Sequence, residues 1–263
     1  MKRARLVAAA AAAVLCALPA LAEDLTIVYK STGPGGPGTS TSFYSSEKMR
    51  TGDAERDTII EYGTGRIVTI DHKKKEYSEI TAAEMEAAMK AMQAKMQEMN
   101  AQMANMPPAV REKMEQMMGG GGAASITVTK GATRKVAGYD CQDYDVKVGT
   151  MMTMDLCAST AVAPPAPNVD PSKYASMVGP AAALASNPMF KSFAKLAEEM
   201  KKIQGFTLAE TSKMSMMGRS FDSSKEATEV KKGAIPASAF DVATIANGYK
   251  KVEHPMTKMA KQR

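Results

Sequence analysis

From Ala82 to Met106 the chain carries no Gly or Pro, and Met85, Met89, Met92, Met96, Met99, Met103 and Met106 recur at alternating intervals of four and three. That spacing is the a/d repeat of an α-helix, so all seven side chains project from one face. The opposite face holds Glu86, Lys90, Gln93, Gln97 and Asn100, with Glu86 and Lys90 four apart as a favourable pair. Ala, Met, Glu, Gln and Lys, which dominate the segment, are strong helix formers. Thr81 and Glu84 make a capping box at its start. Pro107-Pro108 ends it, because the residue before a proline avoids helical backbone. A shorter helix with Met114, Met117 and Met118 is predicted over 109–118, followed by a flexible Gly119–Gly122 link.

Burying one Met contributes roughly 1.5–3 kcal/mol, so seven together are worth on the order of 10–20 kcal/mol. A stripe of that size must be covered by the body of the protein, by a partner or by a ligand. Leu would specify a fixed core more sharply; Met is flexible and polarizable and fits several apolar shapes. A lid over a lipid cavity or a groove for a hydrophobic peptide suits Met better than a fixed core does. Thioether sulfur is also a soft ligand for Cu(I), and Met at i, i+3 and i+4 offers three sulfurs to one ion. The stripe has no His or Cys, and an apolar helix face gives the same spacing, so no metal or cofactor is assigned. Sacrificial oxidation is a further use of such a stripe.

On both sides of this helix the pattern changes to period two. Leu25, Ile27 and Tyr29 alternate as in a half-buried strand. Gly33–Gly38 is a loop, and Thr39–Met49 is a second strand region rich in Ser and Thr. Thr58–Tyr62 and Arg66–Asp71 flank a Gly63-Thr64-Gly65 turn, and Glu76–Ile80 follows the charged turn His72–Lys75. Strands return at Ser125–Lys135 and in a hairpin from Tyr139 to Cys157. Ala163–Pro167 is a stiff connector. Pro171–Ala185 and Pro188–Ile203 read as helices with Pro near each start. Gly205–Met217 and Gly218–Lys231 form a last hairpin, and Ile235–Val252 closes the domain. The count is nine or ten strands with two helical insertions, 82–118 and 171–203. The predicted fold is α+β: a curved antiparallel sheet or unclosed β-barrel with helices packed on its concave face.

Residues 1–22 have the three parts of a secretory signal. Lys2, Arg3 and Arg5 are basic, Leu6–Leu21 is apolar, and Ala20-Leu21-Ala22 offers a cleavage site. Cleavage near Ala22 predicts a periplasmic or secreted protein with one domain over 23–252 and a basic tail over 253–263. No second apolar run is long enough to span a membrane. The formal charge is +6, half of it from the signal, which argues against a nucleic-acid partner. Oligomeric state is not legible. Cleavage removes Cys16 and leaves Cys141 and Cys157, an even count in an oxidising compartment. Both lie eight residues from Gly149, so a hairpin turn at Gly149-Thr150 sets them opposite each other. A disulfide there would add about 3 kcal/mol in the chain-entropy model.

Chemistry for an enzyme is sparse. His72, in a Lys-rich turn, and His254, before Pro255, both read as solvent-exposed. There is no phosphate-binding loop, nucleophile elbow or His-rich ligand spacing. No catalytic residue is nominated, and the expectation is a binding protein.

Several segments carry a resemblance. They are Lys30 with its strand, Met49-Arg50, Ile70-Asp71-His72-Lys73-Lys74-Lys75-Glu76-Tyr77-Ser78-Glu79-Ile80, Val136-Ala137-Gly138-Tyr139-Asp140-Cys141, Ile235–Phe240 and Gly248-Tyr249-Lys250-Lys251. In their order they resemble a bacterial envelope family catalogued as a domain of unknown function (DUF 4412). Val242 is here followed by Ala243–Asn247 where the family has Pro and one residue before Gly248. The resemblance implies a lipoprotein-carrier-like architecture, an unclosed barrel whose helices plug a hydrophobic cavity. It would set the Met stripe against the concave sheet. Three functions follow: sequestering an apolar ligand such as a lipid or the acyl chain of a lipidated protein, docking on a protein partner through the Met helix, or handling Cu(I).

Overall fold

The structure is a computed structural model that describes residues 23–34, 36–104, 107, 125–149, 152–169, 191–216 and 219–261. The predicted helix over 109–118 and the first helix of the second insertion, Pro171–Ala185, lie outside the described residues.

One sheet of twelve strands organises the chain. The first six are β1 (Leu25–Thr32), β2 (Gly38–Tyr44), β3 (Lys48–Gly52), β4 (Arg56–Glu61), β5 (Arg66–Asp71) and β6 (Glu76–Ile80). The helix α1 (Ala82–Ala104) follows, then β7 (Ile126–Val136), β8 (Tyr139–Val148) and β9 (Met152–Ser159). Helix α2 (Lys191–Met200) precedes β10 (Phe206–Met216) and β11 (Arg219–Lys232). A 3-10 turn (Ala237–Phe240), α3 (Val242–Ile245), β12 (Lys250–Glu253) and α4 (Pro255–Lys261) complete the chain. The lateral order is β12-β6-β5-β4-β3-β2-β1-β11-β10-β9-β8-β7.

Two expectations change. The Thr39–Met49 region is two strands, because the Ser45 hydroxyl accepts from the Lys48 amide (2.9 Å) and donates to its carbonyl (3.0 Å), reversing the chain. The sheet is also mixed: β12 lies parallel to β6, pairing Lys250 with Glu76 and Glu253 with Glu79.

Directly opposed residues on neighbouring strands share a face. The face carrying Leu25, Ile27 and Tyr29 is the inner one. These residues join Val136 of β7 in one buried cluster with Cys141, Cys157, Val162 and Leu208. Strand β7 lies five places from β1 in the sheet order, so the sheet curls to bring them together. Arg134 of β7 reaches Glu226 of β11 (3.3 Å) across the same curl. Helix α2 packs through Leu196 and Met200 on Tyr144, Val146, Leu156 and Ala158 of β8 and β9.

Cys141 and Cys157 are bridged, with Cα atoms 5.5 Å apart. The bridge is diagonal, since Cys157 pairs with Asp143 and Val148 with Met152. The link between the strands is 149–151, so the hairpin is centred on residue 150 and not on Gly149, and this moves each opposite partner by two. Edge strand β7 is guarded by Lys130, Arg134 and Lys135 and by a bulge between Lys130 and Thr133. Gln142 Nε2 fills the bulge, donating to the carbonyls of Gly131 (2.7 Å) and Ala132 (2.9 Å).

Candidate functional site

The registers of β1 to β6 place three ordered rows on the inner face. The first is apolar: Leu25, Tyr44, Met49, Ile60, Ile67 and Ile80 stand opposite one another in sequence across six strands. Two residues along each strand, about 7 Å away, Ile27 is followed by Ser42, Thr51, Thr58, Thr69 and Ser78. The Ser42 and Thr51 hydroxyls share a hydrogen bond (2.9 Å). A further step brings Arg56, Asp71 and Glu76 into line. Leu25 and Ile80 at the ends of the apolar row are fully buried, while Met49, Ile60 and Ile67 between them are half-buried. At the curl, Phe206 meets Tyr44 edge to face (5.5 Å between centroids), and Lys225 Nζ stands 4.0 Å from the Tyr29 ring centre. Burial pushes the Tyr29 and Tyr44 phenols up and the Lys225 ammonium down.

Helix α1 begins two residues after Ile80. Its capping box forms as predicted: Thr81 N donates to Glu84 Oε2 (2.9 Å) and Glu84 N to the Thr81 hydroxyl (3.2 Å). Met85 and Met89 are half-buried and Met92 is 39% exposed. The side chains of Met96, Met99 and Met103, and all of Met106, lie outside the described residues. Among the described residues, the main packing partner of α1 is α4. Ala88 is buried, and Lys95 Nζ donates to the Met259 carbonyl (3.4 Å). The stretch 253–263 read as a tail is thus largely a helix that braces α1.

His72 is not the solvent-exposed residue its Lys-rich turn suggested. Its Nε2 lies 2.8 Å from Asp57 Oδ2 and its Nδ1 lies 3.0 Å from the Tyr249 hydroxyl. Arg50 forks onto the same carboxylate, Nε to Oδ1 at 2.8 Å and Nη2 to Oδ2 at 3.0 Å, and its Nη1 donates to the Ala239 carbonyl (2.8 Å). Asp57 is 2% exposed. Gly52, directly opposite, makes room for it, since a Cβ there would fall 1.6 Å from Asp57 Oδ1. This network lies on the outer face. It clasps the 235–253 segment over β3–β6, where Val242, Ile245, Ala246 and Tyr249 cover Ile59, Val68 and Ile70. His254 is half-buried as well, and burial lowers its pKa.

Near the opposite ends of these strands a second outer-face network crosses the sheet. Lys48 meets Glu61 (3.1 Å), Glu61 meets Arg66 (2.9 Å), and Glu79 takes both Arg66 (3.5 Å) and Lys251 (3.0 Å). The Arg66 hydrogen bonds, with help from Lys48, hold the Glu61 carboxyl down to about 2 against its burial. Both outer networks tie neighbouring strands together, and the first also holds the clasp. Among the described residues, no group of three or more His, Cys, Asp or Glu side chains could hold a metal.

The clasp draws on motif segments separated by about 200 residues: Arg50, His72, Ala239 and Tyr249 each come from a different one. A family model described as a domain of unknown function, DUF4412, matches residues 98–244. The chain belongs to the DUF4412 family. No curated protein matches this DUF4412 chain. Among solved structures it is similar to PNGF-II at 12% identity and a TM-score of 0.39, covering 91% of this chain and 34% of that one. The DUF4412 chain therefore spans about a third of that protein. It is similar to an uncharacterized conserved protein from Thermus thermophilus at 6% identity and a TM-score of 0.42, covering 89% and 92% of the two chains. It is also similar to a putative outer membrane lipoprotein-sorting protein domain from Vibrio parahaemolyticus at 6% identity and a TM-score of 0.29, covering 86% and 92%.

Proposed function

We propose that this protein is an exported, non-enzymatic binding protein that holds an apolar ligand on the inner face of its sheet. The Met-lined helix α1 acts as an adaptable cover beside it. The observation that carries the reading is the half-buried row Met49, Ile60 and Ile67, lying between fully buried Leu25 and Ile80. A lipid or the acyl chain of a lipidated protein matches such a surface by hydrophobic burial, without covalent chemistry. Met85, Met89 and Met92, rising from the end of the row, add flexible apolar contact.

The test is native mass spectrometry of the full protein purified from its envelope, followed by solvent extraction. The expected result is a bound mass of several hundred daltons, lost in Ile60→Lys and in Met92→Glu while the far-ultraviolet spectrum stays unchanged. A bare protein that also takes up no lipid when incubated with vesicles overturns the reading. Retention of a protein partner instead would favour docking. One observation supports that alternative: Met214 and Phe221 face each other near the end where β10 runs into β11, each 41% exposed.

A further inference from the structure

Three consecutive strands carry the same inner-face triplet. Strand β4 reads Ile60, Thr58, Arg56; β5 reads Ile67, Thr69, Asp71; β6 reads Ile80, Ser78, Glu76. Polarity therefore rises in one direction in steps of about 7 Å, from hydrocarbon to hydroxyl to charge. Where it ends, a cleft of about 280 Å³ opens, lined by Asp53, Glu55, Arg56, Asp71, Lys73 and Lys74. The cleft has three carboxylates and three cations. Lys74 pairs with Asp71 (3.4 Å) and Lys73 with Glu55. Both lysine side chains and that of Glu55 are well exposed, so these pairs exchange readily with a ligand of mixed charge.

We infer that the apolar ligand is a zwitterionic phospholipid. The inference rests on the apolar-binding reading and goes beyond it. The acyl chains lie over Met49, Ile60 and Ile67, the ester groups accept from Thr51, Thr58 and Thr69, and the head group enters the charged cleft. A phosphate with an ammonium meets both signs of charge there. An anionic head group would add its charge to three carboxylates, and a bare glycerol would leave the cleft's charges with no counterpart. Ligand and protein charge are thus complementary without either carrying a net excess.

The experiment equilibrates the full protein with vesicles containing equal amounts of dioleoylphosphatidylethanolamine, dioleoylphosphatidylglycerol and dioleoylglycerol. Bound lipid is then read by native mass spectrometry. The expected result is an enrichment of the zwitterionic lipid by about tenfold, a difference of about 1.4 kcal/mol. Arg56→Gln with Asp71→Asn should abolish that preference while total bound lipid is kept. If this pair fails to fold, Glu55→Gln with Lys73→Gln probes the same cleft from its exposed rim. Equal loading of all three lipids, or preference for the anionic one, overturns the head-group assignment and leaves apolar binding standing. No lipid on a folded protein overturns both.

Discussion

His72 Nε2 and Arg50 Nη2 converge on a single oxygen, Asp57 Oδ2, at 2.8 and 3.0 Å. Asp57 is thus the hub through which β3, the turn after β5 and the C-terminal segment are joined. Removing one member of a buried charge network leaves the others without counter-charge, at a cost of about 3–5 kcal/mol. Asp57→Ala should lose stability of that order in urea unfolding, and the 235–253 segment should lose amide-exchange protection first. Gly52→Ala should produce the same pattern from the other side of the pair, by displacing Asp57. A uniform loss of protection across the whole sheet would contradict the clasp.

Ala137 has φ 49° and Gly138 φ 84° in the two-residue turn between β7 and β8. Both positions of such a turn need positive φ, which suits Asn-Gly and strains Ala. Ala137→Asn should raise stability by about 0.5–1 kcal/mol, measured by chemical unfolding. A neutral or lower midpoint would mean that the packing of Ala137 against the inner core outweighs its backbone strain.

The Cys141–Cys157 bridge closes a short loop within one hairpin, worth about 3 kcal/mol in the chain-entropy model. The double variant Cys141→Ser, Cys157→Ser should show that loss with an unchanged fold. Both sites lie in the buried inner cluster, so the new hydroxyls add to it. Mild reduction of the native protein separates the two contributions, because it breaks the bridge and leaves sulfur in place.

Acid should destabilise the protein through Glu61. Its folded pKa, about 2, lies below the ordinary value of 4.5. A depressed carboxylate contributes stability that is fully present above the unfolded pKa and is lost as pH falls through the folded one. The window is therefore pH 4.5 down to about 2. Glu61→Gln should flatten the stability–pH curve across that window. At neutral pH it should cost about 1–2 kcal/mol, because Lys48 and Arg66 remain partly exposed to solvent. An identical acid limb in the variant would remove Glu61 from the account.

Much of the strand content was legible. Arg66–Asp71 and Glu76–Ile80 form over the predicted residues, as does the Thr81–Glu84 cap, because alternation, turn glycines and capping are local properties. Lateral order is not local. Nothing in the run of residues announces that β12 pairs parallel with β6, so the role of Tyr249 and the burial of His72 were hidden. The inner rows were hidden for a related reason. Ile60, Ile67 and Ile80 are separate apolar residues in three segments and become a surface only when the register aligns them. The signal that could have found the clasp was present in the motif segments, which include Arg50, His72, Ala239 and Tyr249. Asp57 lies outside them, and its pairing depends on the register of β3 with β4.

Strand β1 lies in the middle of the sheet, between β2 and β11, and its partners in β11 stand about 200 residues downstream. The folding of this protein is consequently a problem of high contact order. A chain that emerges from its N-terminus can zip β1 to β6 early through short hairpins. One long edge of β1 must then wait, with its amides unpaired, until residue 232 is available. A fragment ending before β11 would retain an open, alternating strand of the kind that recruits other chains. Aggregation of such truncations, more than loss of any single contact, is the vulnerability built into this topology.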